Sequence, residues 1–205
     1  DQIMLLKLTS TEEVAYYAAA AKLSEFWYVF PILIANAFNA SLVKAQRKNQ
    51  EAYQAILIML LRSLVAIAIV VCILTVAFAG HIIEFLYGSE YLPSATILSI
   101  HIFACIFIFQ RAILSKWIII ENYFHFSLTT QVLGAIVNVI LNWWLIPIYG
   151  GVGAAWATVV SYMVASYLSL MFDRRSFVFM KLMTKAMISW PLIVTRLPSK
   201  EVQNK

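Results

Sequence analysis

The chain has 205 residues, of which 62% are hydrophobic and only 12% are charged, and its formal net charge is +5. Average soluble domains contain about 45–50% apolar and about 25% charged residues, so this composition excludes a soluble fold. A bilayer core about 30 Å thick needs about 20 apolar residues per helix, and the sequence therefore predicts an all-α, polytopic membrane helix bundle. The basic residues lie in short loops beside apolar segments, which indicates membrane topology rather than nucleic-acid binding.

Six apolar segments follow one another along the chain. They are a partial span at about residues 1–8 and full spans at 14–43, 55–79, 94–120, 126–148 and 152–172. Residues 1–8 are typical of the second half of a helix, so we expect an incomplete first helix and a chain that is a fragment. Pro31 predicts a kink in the first full span.

The loops between these segments alternate between basic and acidic or neutral composition. Such alternation is what the positive-inside rule requires of consecutive short loops, so the basic loops are predicted to be cytoplasmic. Residues 1–175 then form a transmembrane lobe, and 176–205 form a cytoplasmic tail. Residues 177–195 are apolar enough to span the membrane, but a crossing would place Arg196 and Lys200 outside. We therefore favour an interfacial helix there, with its lysines at anionic headgroups.

No catalytic motif is present. The three histidines lie far apart without ligand spacing, and there is no CxxC pair, nucleophile elbow or phosphate-binding glycine loop. The sequence predicts neither an enzyme nor a metal or cofactor site.

Polar residues inside the first full span are more informative, because a charge at membrane depth is costly and normally faces a cavity or a partner. Lys22, Glu25, Asn36 and Asn39 are spaced by multiples of three, four and seven residues, which places them on one face of a regular helix. We call this set the first polar stripe. A cavity wall is the favoured interpretation, and a buried Lys22–Glu25 pair that locks helix packing is the alternative.

Two further patterns lie on the last spans. A second polar stripe is equally compatible with a cavity and with hydrogen bonds between helices; it consists of Ser127, Gln131, Gly134, Asn138 and Asn142. Small residues repeat at every fourth position on the final span, and this face predicts close packing of another helix; they are Ala157, Ser161, Ala165 and Ser169.

Two charged residues stand apart from these patterns. Arg111 is deep in its span and is divided evenly between a cavity role and an anchoring role. Asp1 is predicted to lie about 12 Å inside the end of its half-helix, from a rise of about 1.5 Å per residue.

Several stretches together resemble the second half of bacterial polysaccharide-repeat flippases, which belong to the multidrug and polysaccharide exporter superfamily. They are residues 1–5 (DQIML), 13–20 (EVAYYAAA), 22–25 (KLSE), Pro31, and 150–158 (GGVGAAWAT) with Ser161 and Tyr162. The resemblance covers about residues 1–175.

The resemblance implies two six-helix lobes around a central cavity, of which this chain is the C-terminal lobe. It also implies a transporter in the bacterial inner membrane that moves undecaprenyl-diphosphate-linked oligosaccharide, with membrane lipids and a missing N-terminal lobe as partners. The cationic and amide groups that the substrate requires are Lys22, Arg111, Asn36 and Asn39, with Glu25 and Asp1 on the same cavity. A drug exporter of the same superfamily and a membrane glycosyltransferase or ligase remain as alternatives.

Overall fold

The computed structural model describes residues 1–189, and every regular element in that part of the chain is helical. Nine α-helices are present there: α1 Gln2–Leu8, α2 Thr11–Glu25, α3 Val29–Ala37, α4 Asn39–Lys48, α5 Gln50–Tyr87, α6 Pro93–His101, α7 Ala104–Ile120, α8 Phe124–Ser166 and α9 Arg174–Ser189. Short 3₁₀ turns follow α2, α5 and α8, at Phe26–Tyr28, Ser89–Tyr91 and Leu168–Phe172.

Four helical stretches within residues 1–189 are long and apolar enough to cross a membrane: Thr11–Ala37, Gln50–Tyr87, Pro93–Ile120 and Phe124–Phe172. Large apolar side chains point away from the bundle, such as Ile73, Phe85 and Trp144, which are 61%, 87% and 70% exposed. An outer surface of this kind is what lipid requires. The prediction of an all-α polytopic membrane bundle is confirmed.

The first full span is not one regular helix. A 3₁₀ turn at Phe26–Tyr28 separates α2 from α3, and Phe38 separates α3 from α4. Pro31 has no N–H to donate to the carbonyl of Trp27, which explains why the helix loses its α pattern just before the proline. The predicted kink is present, but the single span 14–43 is divided into three pieces.

The helix α5 is longer than predicted at both ends. It begins after Asn49, whose side chain accepts a hydrogen bond from the backbone N–H of Glu51 at 2.8 Å, and it ends at Gly88, where φ is +88°. Residues 80–87, which lie between the predicted spans 55–79 and 94–120, are therefore helical, and Gly80 is tolerated inside α5. At 38 residues α5 is about 57 Å long, so it extends well beyond a bilayer core.

The predicted span 94–120 is also interrupted. α6 ends at His101 and α7 begins at Ala104, with a turn at Ile102 and Phe103. The carbonyl of Ile102 accepts the backbone N–H of Cys105 at 3.0 Å and a further hydrogen bond from the Cys72 thiol of α5 at 3.4 Å. No proline or glycine lies at this break, so no residue type marks it in the sequence.

The helix α8 is a hairpin of two arms that meet at Gly150, where φ is +55° and ψ is −133°. Residue 134 lies against residue 165, and residue 153 lies against residue 145. The two residue numbers in each pair have nearly the same sum, so the arms run antiparallel. The predicted turn at 150 between spans 126–148 and 152–172 is confirmed.

The helix α9 packs along α5 and buries Phe179, Met183 and Ala186. Its outer face keeps Lys181 and Lys185 exposed. This part of the predicted tail is a docked amphipathic helix; residues 190–195 of the predicted segment lie outside the described residues.

The buried apolar side chains form two separate clusters. The Tyr17 cluster joins α1, α2, the end of α5, α6 and the turn of α8, and includes Leu5, Tyr17, Ala20, Ile83, Ile97, Leu98, Ile146 and Ala154. The Phe109 cluster joins α3, α4, the first part of α5, α7 and α9, and includes Ala35, Leu42, Leu61, Phe109, Ile113, Phe179 and Met183.

Candidate functional site

A polar pocket of about 340 Å³ opens between α1, α2, α6 and both arms of α8. Its lining is Asp1, Glu25, His101, Gln131, Gly134, Ala135, Asn138, Thr158, Ser161, Tyr162 and Ala165. Three members of the second polar stripe thus face this pocket. The small face of the last span contributes to the same wall, because Ser161 and Ala165 pack against Gly134.

The Asp1 carboxylate lies at the centre of a hydrogen-bond network that joins four segments. It accepts hydrogen bonds from the Tyr17 hydroxyl at 2.8 Å, the Thr158 hydroxyl at 2.9 Å and the Asn142 amide at 2.5 Å. The Asn142 amide also donates to the side-chain oxygen of Asn138 at 3.0 Å. A carboxylate at this depth needs such donors, because an ion without partners in an apolar surrounding is very costly.

The network lies at one depth of the bundle. Asp1, Tyr17, Asn142 and Thr158 are each seven or eight residues from the nearest turn at Thr9, Ser10 or Gly150. At a rise of about 1.5 Å per residue this is about 10–12 Å below the end of the bundle, which agrees with the depth predicted for Asp1.

The opposite side of the pocket carries Glu25 and His101. His101 is 1% exposed, and its Nδ1 atom lies 2.7 Å from the hydroxyl of Ser24. The Tyr17 ring meets the imidazole edge to face, with ring centroids 5.7 Å apart. Ser24, Tyr17 and His101 therefore fix α2 against α6 beside the pocket.

Arg111 holds the hairpin rather than facing the open pocket. Its Nη1 atom donates to the Thr130 hydroxyl at 3.1 Å and to the Ala165 carbonyl at 3.2 Å, and Nη2 donates to the Ser127 hydroxyl at 3.0 Å. Its Nε atom is buried and has no partner in the described part of the chain. The guanidinium is bonded to both arms of α8 and lies next to the pocket through Ala165.

The first polar stripe is not a single helical face, and this expectation was wrong. Lys22 and Glu25 lie on α2, Asn36 lies on α3 and Asn39 begins α4, so two breaks separate the members. A 3₁₀ turn advances about 120° per residue instead of about 100°, which invalidates spacing arithmetic across Phe26–Tyr28. The side chains of Lys22, Glu25 and Asn36 are exposed and Asn39 is half-buried.

Only Glu25 and Asp1 of the predicted site residues line the pocket. Lys22 lies three residues before Glu25 on α2, which places the two side chains on neighbouring positions of one face. The alternative of a buried Lys22–Glu25 pair is wrong, because both side chains are exposed.

A contact between α2 and the hairpin turn was missed by sequence reasoning. The Glu13 carboxylate accepts the backbone N–H of Gly151 at 2.7 Å and occupies the space where a Cβ on Gly150 would lie. Glu13 thus caps the second arm of α8 from another helix. Its position three residues after Ser10 predicts only a local capping box, so the sequence gives no sign of the distant partner.

Sequence reasoning also missed Tyr17, Ser24, His101 and Thr158. Each was assigned either to a family motif or to no role, because single polar residues in an apolar span have no spacing signal. Within residues 1–189, no three His, Cys, Asp or Glu side chains are placed to hold a metal ion.

Long apolar helices that enclose a polar, hydrogen-bonded pocket define a multi-pass membrane protein of the transporter type. Residues 7–202 match the family model described as Lipid II flippase MurJ, and the chain belongs to this family. No curated protein and no solved structure matches the chain. The resemblance to lipid-linked flippases is therefore confirmed at the level of a lipid-linked precursor flippase, whereas the polysaccharide-repeat family in particular is not shown.

Proposed function

We propose that the chain forms one wall of a transporter that moves an undecaprenyl-diphosphate-linked glycan across the bacterial inner membrane, with lipid II as the first candidate substrate. The observation that supports this most directly is the polar pocket at membrane depth in a chain of the lipid II flippase family. The motifs at residues 13–20 and 150–158 favour a surface-polysaccharide repeat unit as the second candidate. We propose that the protein moves this lipid without a chemical reaction and is not an enzyme.

The pocket suits part of such a substrate. Ligand pockets generally measure about 300–1,000 Å³, so a pocket of about 340 Å³ takes one sugar or one diphosphate group rather than a whole lipid-linked glycan. Its amide and hydroxyl groups, from Gln131, Asn138 and Ser161, are suited to sugar hydroxyls. The rest of the substrate needs a larger cavity that this pocket joins.

The exposed polar groups of α2 and α3 indicate where that cavity continues. Lys22 and Asn36 lie within a membrane-spanning stretch and are exposed on the bundle surface. Facing lipid, such groups would be costly, so they require a second wall of protein. We propose that the N-terminal lobe implied by the resemblance supplies this wall, and that the described bundle alone does not flip substrate.

Lys22 is the proposed cationic contact for the diphosphate. The Lys22 side chain is exposed, whereas the Arg111 guanidinium already donates three hydrogen bonds to groups within the bundle. Arg111 then contributes positive charge from beneath the pocket and holds the hairpin in place. Asn36 and Asn39 are proposed as amide contacts farther along the same cavity, and Glu25 reduces the local positive charge.

The test is a flipping assay with fluorescent lipid II and the full-length protein in liposomes. Lys22→Ala should abolish transport at normal membrane abundance, and Lys22→Arg should retain part of it, because a charge is required rather than a particular shape. Lys7→Ala is the matched control, since Lys7 is also an exposed lysine in an apolar helix but lies in the last turn of α1, whereas Lys22 lies one turn from the pocket-lining Glu25.

A complementation experiment distinguishes the two candidate substrates, lipid II and the polysaccharide repeat unit. Expression in one strain depleted of its lipid II flippase and in another lacking its O-antigen flippase should restore growth in the first. Restoration of surface glycan in the second strain alone would favour the polysaccharide repeat unit. Full activity of Lys22→Ala would remove Lys22 from the substrate site, and transport of neither lipid would overturn the proposed function.

A further inference from the structure

Two neighbouring membrane-spanning stretches, α2–α3 and α6–α7, are interrupted at the same level; we call them the two rods. The break between α2 and α3 is the 3₁₀ turn Phe26–Tyr28, and the break between α6 and α7 is the turn at Ile102 and Phe103. α2 contacts α6, α3 contacts α7, and the turn Phe26–Tyr28 contacts α7. The two breaks therefore lie side by side.

The apolar core is divided at this same level. Residues of α2 and α6 belong to the Tyr17 cluster, and residues of α3 and α7 belong to the Phe109 cluster. The unbroken helix α5 contributes to both, with Leu61 in the Phe109 cluster and Ile83 in the Tyr17 cluster. Because packed interiors resist deformation, each cluster is expected to move as a block, and the layer between them is where bending is least costly.

A single buried polar contact joins the two rods at that layer. Ser24 lies in the last turn of α2 and His101 is the last residue of α6, and the hydroxyl oxygen and Nδ1 are 2.7 Å apart. The two residues are 0% and 1% exposed. The adjoining carbonyl of Ile102 is held by the Cys72 thiol, which ties the α6–α7 break to α5.

We propose that the Ser24–His101 contact is the pin of a hinge between the two blocks, and that bending at this hinge changes the width of the pocket. Glu25 and His101 line the pocket and both lie directly at the hinge, so a change in the angle between the blocks moves them against the α8 hairpin. Ser24 and His101 are positioning residues in this scheme. The effect expected on transport rests on the proposed function, whereas the effect expected on distances between the blocks does not.

The test measures the angle between the blocks by electron spin resonance distances in the full-length protein. Labels at Glu12→Cys and Lys44→Cys, both at exposed positions, report the α2–α4 stretch across its two breaks, at Phe26–Tyr28 and at Phe38. Only the first break adjoins the Ser24–His101 contact, so a change on removal of that contact reports the first break. Labels at Glu51→Cys and Glu84→Cys report the unbroken α5 as the reference pair. The native Cys72 and Cys105 are buried, and a sample with neither pair introduced checks that they stay unlabelled.

Four substitutions distinguish the loss of the Ser24–His101 contact from a general change in packing. Ser24→Ala and His101→Leu remove the contact, and His101→Asn keeps a polar atom near the position of Nδ1. Ser99→Ala is the matched control, because the Ser99 hydroxyl bonds only to the Ala95 carbonyl of its own helix at 2.8 Å. Thermal unfolding of every variant checks that it is folded.

We expect the Glu12–Lys44 distance to lose its single narrow distribution in Ser24→Ala and His101→Leu, and to keep it in His101→Asn and Ser99→Ala. The α5 reference distance should change much less than the Glu12–Lys44 distance in every variant, because α5 is unbroken although it belongs to both blocks. Transport should fall about fivefold to tenfold in Ser24→Ala and His101→Leu, because the loss of one hydrogen bond changes a rate by about this factor.

The outcomes are distinct. An unchanged Glu12–Lys44 distribution in Ser24→Ala overturns the hinge, whatever happens to transport. A broadened distribution in a protein that transports no lipid-linked glycan supports the hinge and overturns the proposed function. If His101→Leu does not fold, Ser24→Ala decides alone, since it removes one oxygen atom and no packing volume of importance.

Discussion

A close approach between the arms of α8, far from their turn, depends on the absence of a side chain at Gly134. A Cβ at this position would lie 2.6 Å from the Cβ of Ala165 and 3.3 Å from the carbonyl oxygen of Ser161. Carbon atoms in favourable contact are about 3.5–4.0 Å apart, so Gly134→Ala requires the arms to separate by about 1 Å. The pocket and the Arg111 contacts lie at the same crossing.

The size of the effect follows from two opposing terms. Overpacking a close contact costs about 1–3 kcal/mol. Replacing glycine by alanine inside a helix gains about 0.8–1 kcal/mol. Gly80 isolates the second term, because it lies inside α5 and a Cβ there meets nothing within 4 Å. Gly134→Ala should therefore be about 1–3 kcal/mol less stable than Gly80→Ala.

The measurement is reversible unfolding of the purified protein in detergent, compared between the two variants. A compensating change sharpens it: Gly134→Ala combined with Ala165→Gly moves one methyl group from one arm to the other and should recover most of the lost stability. If Gly134→Ala matches Gly80→Ala, or if the double variant is no better than the single one, the arms are not in the close contact described here.

Three further predictions follow from other contacts. Glu13→Ala should lower the free energy of unfolding by about 1 kcal/mol, because the cap on the Gly151 N–H is lost. Glu13→Gln keeps an acceptor and should retain the stability, and Glu12→Ala should have no effect. Equal free energies of unfolding for Glu13→Ala and Glu12→Ala would contradict this prediction. Asp173 accepts the backbone N–H groups of Ser176 and Arg175, which lowers the pKa of its carboxyl, so its support of α9 is present above the unfolded-state pKa and is lost as the pH falls through the folded one. Hydrogen exchange of the first turn of α9 should thus rise on acidification, and Asp173→Asn should remove this dependence; a dependence that persists in Asp173→Asn has another origin. Cysteines at Ser89 and Asn49, both exposed, should react with an outside reagent at Ser89 only, and labelling of Asn49 would reverse the topology.

Composition and periodicity were sufficient for the class of fold and for the places where glycine controls the backbone. The predicted spans 126–148 and 152–172 leave a gap that contains the Gly150–Gly151 pair, and the structure places φ of +55° at Gly150. The small face of the last span was predicted to admit a close neighbour, and that neighbour is Gly134. In both cases the residue type itself carries the constraint, since only the absence of a side chain permits the geometry.

The breaks and the polar network could not be predicted in the same way. The α6–α7 break has no proline or glycine, and its Ile102 carbonyl takes an additional hydrogen bond from the Cys72 thiol of another helix, a tertiary contact that no local pattern shows. The first polar stripe failed because its spacing assumed a regular helix through Phe26–Tyr28. The partners of Asp1 come from segments up to 157 residues away, and no local pattern identifies them.

The polar groups of the bundle fall into two sets, and the division bears on function. Asp1, Glu13 and Arg111 lie inside apolar spans or at their ends, and each has its donors or acceptors supplied by neighbouring helices. Lys22 and Asn36 are exposed at membrane depth, and within residues 1–189 neither side chain makes a hydrogen bond, whereas Glu25 lies at the pocket between the two sets. A protein that needed polar residues only for packing would leave none of them open to lipid, because an unsatisfied group there costs several kcal/mol, on the order of the stability of a whole domain. This division fits the proposed function, in which a second protein wall and a charged, sugar-bearing lipid between the two walls cover the exposed set.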